Sequence, residues 1–133
     1  MQLATERYSK VLKLHPDYTM RFNARINRAI AFDSERGDSE GIKKELKKML
    51  KDIKNEDFRD QIYYALAELE LKEDNEPLAI EYLIKSAKYS VINEKQKGLS
   101  YLKLANIYFE QPNYINAQAY YDSTIQNLSL IHI

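Results

Sequence analysis

The strongest constraint on how this chain folds is a pattern that it contains twice. Tyr101, Leu104, Ala105 and Tyr108 stand at successive spacings of three, one and three residues, and Ala117 and Tyr121 follow. Thirty-eight residues upstream, Tyr63, Leu66 and Ala67 are followed by Ala79 and Leu83. In both copies the first small residue precedes the second by 12 positions. Two short helices that cross closely need small residues where their backbones meet, and bulky residues one turn away to fill the gap. The pattern therefore predicts two helical hairpins, one crossing at Ala67 and Ala79, the other at Ala105 and Ala117. Asp74-Asn75-Glu76-Pro77 and Gln111-Pro112-Asn113 provide the turns, each with a proline placed to open the following helix.

The rest of the chain reads as weaker copies of the same unit. Phe22, Ile26, Ala29, Ile30 and Phe32 fall largely on one helical face, and Ile42, Leu46, Met49, Leu50 and Ile53 on another. A long turn, Asp33 to Gly41, joins them. At the amino end, Ala4, Tyr8, Val11 and Pro16 match the second half of a hairpin. The expectation is an all-α chain of about seven antiparallel helices near 1–14, 18–34, 39–55, 57–73, 76–90, 94–110 and 113–128. It divides into a half repeat (1–16), a degenerate repeat (17–56) and two clear ones (57–93 and 94–131). Glu70 departs from the pattern, standing where the other copy has Tyr108, and Leu69 and Leu71 are expected to compensate.

Composition narrows the function classes. Hydrophobic residues make up 44% and charged residues 30%, which is rich enough in apolar side chains to fold rather than stay disordered. Twenty basic residues balance 20 acidic ones, so no chain-wide field draws the protein to nucleic acid or anionic lipid. No apolar run approaches the roughly 20 residues of a membrane span. The absence of cysteine removes disulfides, thiolate zinc sites and cysteine nucleophiles.

The ordered set Tyr101, Leu104, Ala105, Tyr108, Ala117 and Tyr121, with its upstream copy, resembles the tetratricopeptide repeat family, Tyr and Ala replacing the usual Trp and Gly. The resemblance implies an αα-superhelix, with four residues beyond the usual repeat length accommodated near Ile92 to Gln96. More narrowly, the strings that begin at Phe22, Asp60 and Ala117 resemble the repeat lipoproteins of gliding motility and type IX secretion in Bacteroidetes (SprE/PorW type). That likeness implies a periplasmic or cell-envelope location and a part in a larger secretion assembly. In the family the first helix of each pair lines a concave surface. Transferred to this chain, the groove positions are Asn23, Asn27, Tyr64, Glu68, Leu102, Asn106 and Phe109. Asn27 and Asn106 would hydrogen-bond an extended peptide, and Tyr64 and Phe109 would hold its side chains. The Lys of the family's carboxylate clamp is missing from these positions. Solenoid repeats bury their faces against neighbours. The apolar, uncapped ends, including Leu128 to Ile133, therefore suggest a piece of something longer and some self-association.

Catalytic alternatives are weaker. Gly37-Asp38-Ser39-Glu40-Gly41 satisfies the G-x-S-x-G nucleophile pattern, but that motif needs a preceding strand, and a helical pattern precedes it here. Helix ending at Gly37 and capping by Ser39 or Asp38 explain the same residues. His15 and His132 stand far apart and form no metal-ligand pair, so neither metal nor cofactor is expected. Glu68, Glu70 and Glu73, and the lysines at 43, 44, 47, 48, 51 and 54, read as solvated helix faces. The favoured expectation is a non-enzymatic scaffold for a protein or peptide partner. An architectural spacer is the first rival and a hydrolase built on Ser39 the second.

Overall fold

The computed structural model describes residues 16–31, 39–91 and 93–131. Among them all regular structure is helical: α1 (Pro16–Ile30), α2 (Glu40–Lys51), a 3-10 helix (Ile53–Phe58), α3 (Arg59–Lys72), α4 (Glu76–Tyr89), α5 (Glu94–Glu110) and α6 (Tyr114–Ile131). Six α-helices thus stand among the described residues, where seven were expected over the whole chain. The helix expected at 1–14 and most of the turn at 33–41 lie outside the described residues.

Most expected boundaries shift by a residue or a few, and one of the larger shifts has a local cause. The helix expected over 39–55 stops at Lys51, because Asp52 turns to an extended conformation and its carboxylate accepts the Lys54 N–H at 3.0 Å. That cap opens the 3-10 helix. Buried Asn55 then donates to the Met49 carbonyl at 2.9 Å and accepts from the Tyr18 hydroxyl, tying the 3-10 turn to α2 and α1. At the end of α3, Asp74 takes the left-handed conformation (φ 60°) more often left to glycine. This lets the Asn75 N–H reach back to the Glu70 carbonyl at 2.8 Å.

Consecutive helices run antiparallel. Ser86, near the end of α4, donates to the Asp60 carbonyl at the start of α3 at 2.7 Å, and it also bonds Ser100 near the start of α5 at 2.8 Å. Asn127, late in α6, donates to the Glu94 carbonyl that opens α5. The small residues sit where the sequence puts them, since Ala67, Ala79 and Ala105 are fully buried and Ala117 nearly so. Gly98 marks another close approach, because a Cβ there would meet Asn127 Nδ2 at 2.9 Å.

Two apolar clusters hold the helices together. The first joins Phe22, Ile26 and Ala29 of α1 to Leu46 and Met49 of α2 and to Phe58, Ile62, Leu66 and Leu69. Its Phe22 and Phe58 rings lie 4.5 Å apart. The second is built on Ala67, Leu83, Leu104 and Ile107, with Tyr64, Leu71 and Tyr101 packed around it. Each fully buried large side chain contributes about 1.5 to 3 kcal/mol, so these clusters dominate the stability. Because α3 faces α1 and α2 on one side and α4 and α5 on the other, it is buried nearly all round.

Candidate functional site

The seven expected groove residues fall on α1, α3 and α5. Asn23 and Asn27 are exposed on α1, among Arg21, Arg25 and Arg28. On α3, Tyr64 is half-buried, and its hydroxyl donates to Glu68. Burial first, and then the Glu68 charge, push the Tyr64 phenol up to about 12. Glu68 in turn receives Lys103 Nζ of α5 at 3.0 Å. On α5, Leu102, Asn106 and Phe109 are exposed. Asn106 accepts the Tyr121 hydroxyl of α6 at 2.8 Å, and the Phe109 ring meets Tyr114 edge-on at 5.4 Å.

Two linked groups result. Tyr64 and Glu68 join α3 to α5 through Lys103, while Asn106 and Phe109 join α5 to α6 through Tyr121 and Tyr114. Sequence reasoning did not single out Lys103 or Tyr114. The signal was available, because Lys103 adjoins Leu102 and Tyr114 follows directly on the turn beyond Phe109. Tyr63 and Tyr64 are adjacent on α3 and serve different clusters. Both are half-buried, Tyr63 against the first cluster and Tyr64 against the second.

The reading of Lys43 and Glu70 as solvated needs correction. Lys43 and Glu70 are both buried, with Lys43 Nζ 2.8 Å from a Glu70 oxygen. Glu73 also binds Lys43 and accepts the hydroxyl of buried Ser39. Burial alone would lower the Lys43 pKa, but the hydrogen bonds and charges of Glu70 and Glu73 outweigh it and hold the ammonium well above the usual lysine range. Bonds from Lys43 and Ser39 draw Glu73 below the usual carboxylate range. Lys44, Lys47, Lys48, Lys51 and Lys54 remain exposed. Ser39 stands at the start of α2 without capping it through its side chain, and its hydroxyl is committed to a carboxylate. Among the described residues there is no strand to build a nucleophile elbow, and both histidines lie outside them.

Where α3, α4 and α5 meet there is a buried polar seam. Asp60 accepts the Gln61 N–H at 2.9 Å and the Ser90 hydroxyl at 3.3 Å. Ser86 links the Asp60 carbonyl to Ser100, which also contacts Gln96. Burial raises the Asp60 pKa to about 6, against the lowering effect of the Gln61 and Ser90 bonds. The spacing Ser86/Ser90 and Gln96/Ser100, one helical turn each, was the sequence trace of this seam.

No protein-family model matches the chain, and no curated protein matches it. Among the described residues no group of three His, Cys, Asp or Glu side chains is placed to hold a metal ion. No helix among them is long and apolar enough to cross a membrane.

Proposed function

We propose that the chain is a non-enzymatic helical-repeat scaffold of tetratricopeptide type, binding a partner protein or peptide through the surface of α1, α3 and α5. The observation that carries this reading is one packing scheme used twice. Ala67 and Ala79 are fully buried within α3 and α4, and Ala105 and Ala117 are buried at the same separation within α5 and α6. In such a scaffold the recognition chemistry is shallow and mixed. Exposed Asn23, Asn27 and Asn106 offer amides to a peptide backbone, Leu102 and Phe109 offer apolar contact, and Tyr64, Glu68 and Lys103 form a fixed polar edge. The resemblance of the strings that begin at Phe22, Asp60 and Ala117 to gliding and type IX secretion lipoproteins makes an envelope assembly the setting we propose.

The test compares partners captured from a native lysate by the parent chain and by an Asn27→Ala/Asn106→Ala variant with unchanged helicity. Loss of capture by that variant, with retention by Lys48→Ala on exposed α2, is the expected result. Undiminished capture by the double variant would favour the architectural spacer instead.

A further inference from the structure

The two sides of α1 carry different chemistry. Successive residues of an α-helix are turned by about 100°, so Tyr18, Arg21, Phe22 and Arg25 share one side, and Asn23 and Asn27 of the groove reading stand on the other. The 3-10 helix brings Lys54 to the first side. Together Tyr18, Arg21, Phe22, Arg25 and Lys54 line a cavity of about 250 Å³. Its aromatic members are anchored in the fold. Phe22 is buried and lies 4.5 Å from the Phe58 ring, and the Tyr18 hydroxyl donates to buried Asn55.

The three cations of the cavity are not used up inside the fold. Among the described residues neither Arg21 nor Lys54 forms an ion pair, and Arg21 reaches only the Asp17 carbonyl, at 3.4 Å. Arg25 stands 3.9 Å from a Glu45 oxygen, but Glu45 is held by Arg28 at 2.9 Å. Asp52 is near enough to act on the Tyr18 phenol, which burial pushes up first and Asp52 second, with Arg25 opposing. The Asp52 carboxylate is itself engaged by the Lys54 N–H. No carboxylate among the described residues lines the cavity. A cleft lined by one sign of charge focuses its field and concentrates counter-ions.

We infer that the cavity between α1 and the 3-10 helix binds a phosphate monoester. Guanidinium forks match phosphate oxygens in pairs, and an ammonium adds a point charge beside them. A monoester at neutral pH carries a charge of about −1.5 to −2 on three acceptor oxygens, one for each cation. A carboxylate has a single charge, which one arginine satisfies. A phosphodiester also has a single charge, so a nucleic-acid backbone is the poorer match. The cavity is smaller than the roughly 300 to 1,000 Å³ that encloses a drug-sized ligand. It holds the phosphoryl group and the few atoms next to it, and the rest of the ligand lies outside. Asn23 and Asn27 do not line the cavity, so phosphate binding and partner capture by the groove can each fail without the other.

Calorimetric titration of the full chain tests this, with three probes: inorganic phosphate, a phosphoserine peptide, and the same peptide carrying Glu in place of phosphoserine. Phosphate and phosphopeptide should both bind, and the Glu peptide should bind about tenfold more weakly or worse, because it brings about half the charge. Arg21→Gln and Lys54→Gln, at exposed positions, should leave helicity unchanged and each weaken phosphate binding by about tenfold, the effect of one charge-assisted hydrogen bond. Lys48→Gln on exposed α2 should change nothing. Affinity should fall from about pH 7 to about pH 5 as the dianion takes up a proton. Much tighter binding of the phosphopeptide than of phosphate would assign the site to a modified partner chain, and equal affinities to a small phosphorylated molecule, the pocket standing in both cases. No binding up to about 10 mM phosphate, equal binding of the Glu peptide, or an equal loss on Lys48→Gln would each overturn the inference.

Discussion

Lys43 Nζ lies 2.8 Å from a Glu70 carboxylate oxygen across the α2/α3 contact, with both side chains withdrawn from solvent. In the second hairpin the position of Glu70 belongs to Tyr108, whose ring stacks 5.7 Å from Tyr120. Equivalent positions thus hold one member of an ion pair and one member of an aromatic pair, their partners coming from the preceding helix for Glu70 and from the following helix for Tyr108, and the consequences differ. Removing one partner of a buried pair leaves an uncompensated charge and costs about 3 to 5 kcal/mol, whereas replacing both by apolar residues is often neutral. Lys43→Ala, which strands the buried Glu70 carboxylate, should therefore lower the denaturation midpoint sharply, and Lys43→Met/Glu70→Leu should recover most of the loss. Equal damage from the single and double variants in urea melts would contradict the pairing.

Asp60 makes a prediction about pH. Its folded pKa, about 6, lies above the ordinary 3.8, so the folded state holds a proton more tightly than the unfolded state. Stability from this group is present below pH 3.8 and is lost as pH rises through about 6. At one pKa unit per 1.36 kcal/mol the loss is on the order of 2 to 3 kcal/mol. Asp60→Asn keeps an acceptor for the Gln61 N–H and removes the titration. Relative to the parent, the variant should gain stability between pH 4 and 7, measured by urea melts at each pH. A constant difference across that window would show that Asp60 is not the titrating group.

The two adjacent tyrosines should behave alike in stability. Tyr63 stacks 5.6 Å from Tyr89 and lies 6.0 Å from Tyr82, while Tyr64 fills the second cluster. Full burial of an aromatic is worth about 3 to 5 kcal/mol on truncation, so half-buried rings should cost roughly 2 kcal/mol each. Thermal melts of Tyr63→Ala and Tyr64→Ala should show comparable drops. Near-wild-type melting of Tyr64→Ala would show that its packing on the second cluster contributes little. Tyr64 should also ionise late, near pH 12, in an ultraviolet titration compared with that of Tyr64→Phe.

The alanine crossings, the helix order and most core positions were legible because close packing of two helices imposes short, repeated spacings. The phase of α3 was not. A helix packed on several sides has no single solvent stripe, so Glu70 looked solvated and Tyr64 looked open. Lys43 was recoverable in principle, lying one turn before Leu46 on the buried side of α2. What the local pattern does not contain is the carboxylate that waits for it 27 residues later in a different helix. The Asp60 seam was hidden for the same reason, since its partners come from three helices.

The central claim is that recognition occurs on the surface of α1, α3 and α5, and hydroxyl-radical footprinting of the chain with and without its captured partner reads that surface residue by residue. Protection should appear at Leu102 and Phe109, which are open in the free chain, and leave Ile53 and exposed Ile84 of α4 unchanged. Protection confined to Ile84 and the outer side of α4, with Leu102 and Phe109 as reactive as before, would contradict the account.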